Sequence, residues 1–309
     1  MTDITVIIPV MNEQANIEPL LLALNETVSK TDLKFEYLFV EGGSSDETLS
    51  ILEEKAGKDE RIKIISLSRS FGKEASLLCG FDYAAGRAVI PLDGDMQDPP
   101  GVILDFIAKW KEGYHNVYGV RKNRDADGFL KKHISRLFYK IYNFMAERHI
   151  PFDAGDYRLL DRKVVEAIKE CRERNMFMKG LFGWVGFKSC AVYYDRPGRY
   201  AGKTSWNYWK LWNFALDGIL NSTTVPLRIW TYFGVLVALI SILYALFIVT
   251  RTLVFGIDVP GYASLLVFIL FFGSIQMISL GILGEYMGRI FKEVKRRPPY
   301  IISEKINIK

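Results

Sequence analysis

Cysteine and histidine are scarce in this chain of 309 residues, with three of each. Cys79, Cys171 and Cys190 are odd in number and show no C-x-x-C spacing, so they read as reduced structural thiols, in keeping with the cytoplasm. His115, His133 and His149 form no HxxxH or HExxH pair, so no zinc site is expected. No GxGxxG follows the first apolar run, which disfavours a dinucleotide cofactor. "GRYAGKT" (198–204) looks like a P-loop but separates its glycines by three residues instead of four, and its context is wrong for a Walker motif. Ser44 and Ser45 have no histidine in a motif-like setting, which argues against a serine hydrolase triad. "ITVIIPV" is apolar but short, has no basic start and runs straight into Asn12-Glu13, so it is expected to be a strand rather than a signal peptide. There is no internal repeat and no low-complexity tract.

What is abundant is apolar sequence, 50% of residues, unevenly spread. Ile229 to Val249 and Tyr262 to Leu283 carry no charged residue, and each exceeds the ~20 residues that a helix needs to cross a hydrocarbon core. They predict a transmembrane hairpin over 229–249 and 262–283, joined by an extracytoplasmic loop at 250–261. Basic residues set its orientation. The loop holds Arg251 alone, whereas Arg228 precedes the first span and Arg289, Lys292, Lys295, Arg296 and Arg297 follow the second. Both ends, including a basic tail at 284–309, are therefore expected in the cytoplasm.

The first 120 residues alternate. "ITVIIPV", "FEYLFVE", "IKIISLS", "AVIPLD" and "NVYGVR" read as strands. Helix-period segments lie between them at 17–28 behind Asn16, 47–55 behind Ser45 or Asp46, 73–85, and 102–111 behind Pro99-Pro100. This predicts an α/β, doubly wound, mostly parallel sheet with a ligand crevice at the strand C-termini. The polar clusters fall at those ends: Asn12-Glu13, Glu41 to Ser44, Arg69 to Lys73, Asp93 to Asp98, and Arg121. A cytosolic domain over 1–205 follows, with a helix at about 129–148 that is either an ordinary surface helix or one lying on the membrane. A juxtamembrane amphipathic helix is expected at 206–228, where "WNYWKLW" suits an interfacial aromatic belt.

"AVIPLDGDMQDPPG" (88–101) places three carboxylates within six positions of a strand end. Asp98 before Pro99-Pro100 reads as a helix N-cap, and Asp93-Gly94 as a turn. Asp95 stays unexplained unless a divalent cation, shared with Asp93, turns the repulsion into attraction.

Taken together, "VIIPVMNE", "RSFGKEASLLCGFDYAAG", "LDGDMQDPP", "YGVRKNRDAD", "FDAGDYRLLDRKVV" and "RYAGKTSWNYWKLWNFALDGI", followed by two spans, resemble the family 2 glycosyltransferases of GT-A fold. Within them the match is to the polyprenyl-phosphate glycosyltransferases, which include dolichol-phosphate-mannose-synthase-like enzymes and the more similar bactoprenol glucosyltransferases. The resemblance implies that Pro9, Asn12 and Glu13 line a nucleoside pocket and that Lys73 lies near the nucleotide. It implies Asp93 and Asp95 as the Asp-x-Asp, with Asp95 favoured for the metal, Mg²⁺ or Mn²⁺, and Gln97 as a shaper of the donor site. Asp156 falls near the acceptor; Arg121 and Arg124 sit on a loop over the site. Arg199, Lys203 and Ser205 match a phosphate-meeting loop. One departure stands out: the family's Asp-Asp-Gly-Ser is here "VEGGSS", so Glu41 replaces the first aspartate and Gly42 the second.

The implied reaction is inverting transfer of a hexose, glucose from UDP-glucose, to undecaprenyl phosphate, releasing UDP. Other donors (GDP-mannose, UDP-N-acetylglucosamine, a UDP-aminoarabinose derivative) stay open, as does a non-catalytic nucleotide-sugar-binding protein. A processive synthase is disfavoured because no Gln-x-x-Arg-Trp is present. The implied partners are the nucleotide sugar, the membrane lipid phosphate and further copies of the chain in a homo-oligomer, with a tetramer as the size the resemblance implies. Flippase and downstream-glycosyltransferase links are also implied, with no nucleic acid. The implied location is the bacterial inner membrane.

Overall fold

The structure is a computed structural model that describes residues 2–122, 140, 143–145, 154–174, 176–195, 220, 223–256 and 261–308. Two compact units emerge: Met1–Gly218 together with Arg297–Lys309, and Ile219–Arg296.

The first unit alternates β1 (Ile4–Val10), α1 (Gln14–Val28), β2 (Phe35–Glu41), α2 (Thr48–Ala56), β3 (Ile62–Leu67), α3 (Lys73–Tyr83) and β4 (Ala88–Pro91). A 3-10 turn (Pro100–Val102), α4 (Ile103–Lys111), β5 (Asn116–Arg121), β6 (Ala154–Asp161), α5 (Arg162–Glu170), α6 (Met178–Trp184) and β7 (Ser189–Tyr194) follow. After the second unit, β8 (Ile302–Ile306) closes the chain. The eight strands form one sheet, ordered β7-β5-β6-β4-β1-β2-β3-β8. β1 pairs in parallel with β2 and β4, β2 with β3, and β5 with β7; β6 runs antiparallel between β4 and β5, and β8 antiparallel on β3.

Both faces of this sheet are covered, which is why β2 reads as one buried run. Strand parity divides β1: Ile4, Val6, Ile8 and Val10 pack with Ile17, Leu20, Phe39 and Phe106 on one face. Ile7 packs with Leu77, Phe81 and Phe182 on the other. α3 crosses β1 so closely that a Cβ at Gly80 would overlap Ile7 Cγ2. That close approach fixes α3, and with it the position of Lys73 at its first turn.

Several boundaries differ from expectation. α1 starts at Gln14 because Asn16 is buried in the first turn and donates to Glu13 Oε2. Asp98 does not cap the next helix. The cap residue is Pro99, while Asp98 is 4% exposed and accepts from Tyr194 Oη at 2.6 Å. Nor is 284–309 simply a basic tail. Ser68 N–H donates to Ile301 O (2.9 Å), Asn307 Nδ2 donates to Ala56 O and Ile62 O (both 2.9 Å), and β8 joins the sheet.

The second unit contains α7 (Val225–Phe255) and α8 (Tyr262–Lys295), both long and apolar enough to cross a membrane. Their apolar windows bury nothing within the chain. α7 outruns the expected span and shortens the loop, since nothing breaks the helix until Gly256 at φ +83°. The helix expected at 129–148 lies outside the described residues, apart from helical positions 140 and 143–145. Most of 206–228 lies outside them also.

Candidate active site

The C-terminal ends of β1, β2, β4 and β5 share one edge of the sheet, and antiparallel β6 brings its beginning, with Asp156, to the same edge. A register shift between Tyr118 and Val120 interrupts the β5–β6 ladder beside Asp156. Bulges of this kind commonly re-aim side chains at a site.

The loops after β1 and β2 are laced together by backbone-to-side-chain bonds. Asn12, held at φ +57°, donates its N–H to Ser44 Oγ (3.0 Å) and accepts from Ser45 N–H (2.8 Å). Glu13 N–H donates to Thr48 Oγ1 (2.9 Å), and Glu47 N–H to Gln14 Oε1 (3.0 Å). Glu41 is 1% exposed; it accepts from the Ser44 N–H and from Ser66 Oγ (3.0 Å). Both of its oxygens are thus turned into the protein, where they brace the loop. Gly42 leans on Met11, whose Cβ is 3.5 Å from the position of an added methyl. Pro9 sits within β1, paired with Val40.

Opposite lies a charged cluster. Lys73 Nζ reaches Asp93 Oδ1 at 2.7 Å, Asp93 Oδ2 at 2.9 Å and Asp156 Oδ2 at 2.8 Å. Among the described residues Asp156 Oδ1 is buried without a hydrogen-bond partner. Burial would raise the Asp156 carboxyl, but Lys73, then Lys179 and Arg158, hold it below the ordinary carboxylate range. Burial would likewise lower the Lys73 ammonium, and Asp156 and Asp93 together keep it well above its usual value. Next to Lys73, Glu74 turns away and accepts from Met178 N–H at 3.1 Å. Burial, reinforced by the charge of Asp156, pushes its carboxyl up to about 7.

Asp95 Oδ1 accepts from Gln97 N–H at 3.2 Å across Met96, which is held at φ +60°. Left-handed backbone at a non-glycine residue is strain of the kind found at functional loops. Gly94 packs this loop onto the first one: a Cβ there would lie 3.1 Å from Val10 Cγ1 and 3.9 Å from Glu13 Cγ. Beside it, burial would lower the Arg121 guanidinium, yet Asp98, Tyr194 and Asp93 hold it above its ordinary value. Arg121 Nε is buried with no hydrogen-bond partner among the described residues.

Two carboxylates on one loop are a hard oxygen donor set, suited to Mg²⁺ or Mn²⁺. Among the described residues no group of three metal-ligating side chains converges. The arrangement fits an ion that takes one or two protein carboxylates and completes its shell with substrate phosphates and water. Asn12, Glu13, Lys73, Asp93, Asp95, Gln97, Arg121 and Asp156 thus lie in or beside the strand-end loops of one sheet edge, while Arg124, Arg199, Lys203 and Ser205 lie outside the described residues. Sequence reasoning missed Glu74 and Tyr194. Glu74 looks like an ordinary acidic residue in a first helical turn, and Tyr194 lies 96 residues from its partner Asp98.

The model of "Glycosyl transferase family 2" matches residues 5–169, from β1 through β6 and into α5. The chain belongs to this family. This glycosyltransferase is 46% identical over 301 residues to the SfII prophage-derived bactoprenol glucosyl transferase of Shigella flexneri, covering 97% of each chain. A prophage bactoprenol glucosyl transferase homolog of Escherichia coli K12 is also 46% identical, over 97% of this chain and 98% of that one. A Synechocystis protein described as an uncharacterized glycosyltransferase is 49% identical, over 98% and 95%. The mixed sheet with helices on both faces is thus a GT-A-like fold, and open sheets of this kind take ligands outside the C-terminal ends of their strands.

Proposed function

We propose that this glycosyltransferase moves a glucosyl residue from UDP-glucose to the phosphate of a membrane polyprenyl (undecaprenyl) phosphate. The observation that carries the reading is the 46% identity to bactoprenol glucosyl transferases along nearly the full length of both chains, hairpin included. A lipid phosphate oxygen attacks the anomeric carbon with inversion, the bond to the diphosphate breaks, and UDP leaves. A phosphate monoester with its second pKa near ~6 is already anionic at neutral pH. Asp156, kept ionised by Lys73, therefore orients groups and need not take a proton.

Asp95 and Asp93 would hold Mg²⁺ or Mn²⁺, which when bound offsets the charge of the diphosphate. Gln97 fixes the Asp95 turn, and Asn12 and Glu13 shape the nucleoside end. Glu41 acts there through the loop it braces. Arg121, with Arg124, Arg199, Lys203 and Ser205, supplies phosphate-binding groups that reduce repulsion between donor and acceptor.

Taking a polyprenyl tail out of the bilayer would cost ~0.8 kcal/mol per buried CH₂, so the catalytic domain has to work at the headgroups. The return of 297–309 to the sheet supports a hairpin whose two crossings leave both ends on one side. The basic residues flanking it favour the cytoplasmic face of the bacterial inner membrane. Gly281, Gly284 and Gly288 on α8 face open space and suit packing against another copy in a homo-oligomer, with a tetramer as the size implied by the resemblance. A product facing the cytoplasm calls for a flippase and a downstream glycosyltransferase.

The test is to supply UDP-glucose and undecaprenyl phosphate to the full chain in proteoliposomes and extract the lipid. Hexosyl-lipid phosphate formed only when the lipid phosphate is present supports the reading. Sugar transfer solely to water-soluble acceptors would overturn it.

A further inference from the structure

Lys73 bonds to two carboxylates of the site, and glycosyl transfer as derived above uses it only to keep Asp156 ionised. It opens α3 directly after Gly72, whose φ of +90° favours glycine although an added Cβ would meet nothing within 4 Å. Its ammonium sits against both oxygens of Asp93 and one of Asp156. About two-fifths of the side chain (41%) is nevertheless exposed, so it lines the crevice and is not locked in the core. Asp93 is the first member of the Asp-x-Asp pair, and with Lys73 against both of its oxygens its charge is already neutralised before a divalent cation arrives.

We propose that Lys73 is an internal counter-ion: it neutralises Asp93 in the donor-free enzyme and is exchanged for the divalent cation when metal and diphosphate arrive. Charge balance gives the reason. Asp93, Asp95 and Asp156 place three carboxylates at one strand edge, and without a cation they repel one another. The donor brings its own cation for Asp93, so the ammonium is released there. It stays tethered by Asp156, whose other oxygen has no hydrogen-bond partner among the described residues, and so remains beside the incoming diphosphate as a phosphate ligand. Free metal competes with Lys73; metal accompanied by a nucleoside diphosphate recruits it. Binding of metal and nucleotide is thereby made mutually dependent, because each alone leaves a charge unpaired.

This inference rests on the metal-dependent reading above, and its test uses neither acceptor nor turnover. Mn²⁺ binding to the full chain in detergent would be titrated by the electron paramagnetic resonance signal of free Mn²⁺, with and without UDP, for wild type, Lys73→Met and Lys73→Arg. Lys73→Met is expected to bind Mn²⁺ alone about tenfold tighter than wild type and to lose most of the tightening that UDP gives. Lys73→Arg should stay near wild type. A Lys73→Met variant that binds Mn²⁺ alone no more tightly than wild type overturns the exchange. Absence of Mn²⁺ binding in all three proteins, with or without UDP, overturns the metal reading and the exchange together.

A second measurement needs no variant. Acylation of wild-type lysines, read at the peptide containing Lys73, should speed up about tenfold with Mn²⁺ alone and slow again on adding UDP. A rate indifferent to Mn²⁺ contradicts the proposal.

Discussion

The rim built from the loops after β1 and β2 and the rim built from β4 and β6 stand at the ends of neighbouring strands, yet they use their polar groups differently. In the first, Asn12, Glu41, Ser44, Ser45 and Thr48 bond to one another and to backbone amides. In the second, Asp93 and Asp156 share Lys73, and among the described residues Asp156 Oδ1 and, on neighbouring β5, Arg121 Nε have no hydrogen-bond partner. A satisfied rim gives shape. An incompletely satisfied one, in a crevice, is poised for ligands that arrive with charge. The contrast also accounts for the departure at "VEGGSS": Glu41 has become part of the bracing, so its loss should be felt through the loop.

Substitutions in the two rims should therefore differ in kind as well as size. The largest effect is expected for Asp95→Asn, which keeps the turn to Gln97 but removes the charge proposed to hold the metal; transfer to lipid should fall by about 10³-fold, with folding intact by circular dichroism. Arg121→Leu removes a partly buried cation that interacts with Asp98 and Tyr194. It should lower stability by about 3 kcal/mol, read as a drop in thermal midpoint, and loss of activity should accompany it. Glu41→Gln weakens two bonds without removing shape. About 1 kcal/mol, or roughly fivefold, should appear in KM for the nucleotide sugar with kcat nearly unchanged. A large kcat loss there would erase the distinction between the rims.

The smallest effect concerns pH. Glu74 keeps its proton up to about 7 in the folded state, well above its ordinary value of 4.5. The folded state therefore binds more protons than the unfolded one between those values, and stability falls as pH rises through that window. Glu74→Gln removes the titration. The variant should melt a few degrees higher than wild type at pH 8 relative to its difference at pH 4.

β1 to β5 were legible because each is a short apolar, β-branched or aromatic run between turn residues, and the positions of Asp93, Asp95 and Arg121 at strand ends came with them. β6 was not, since "AGDYRLLD" mixes glycine and charge into its run. Its Arg158 is buried, stacked over Phe182 at 4.0 Å and bonded to Gly155 O. β8 is short and charged, as edge strands often are, and its pairing with β3 spans the whole hairpin. Asp98 misled because Asp-Pro-Pro is a cap signature, and only the tertiary fold brings Tyr194 to it. The bond from Lys73 to Asp156 joins residues 83 apart, a distance at which local pattern is silent.

The most direct measurement is lipid-linked glucose formation by the full chain from UDP-glucose and undecaprenyl phosphate, run with Mg²⁺ or Mn²⁺, with chelator, and with Asp95→Asn. The account predicts a single hexosyl-lipid phosphate that disappears with chelator, returns when metal is restored, and is nearly absent in the variant. Undiminished product in chelator and in Asp95→Asn would contradict it.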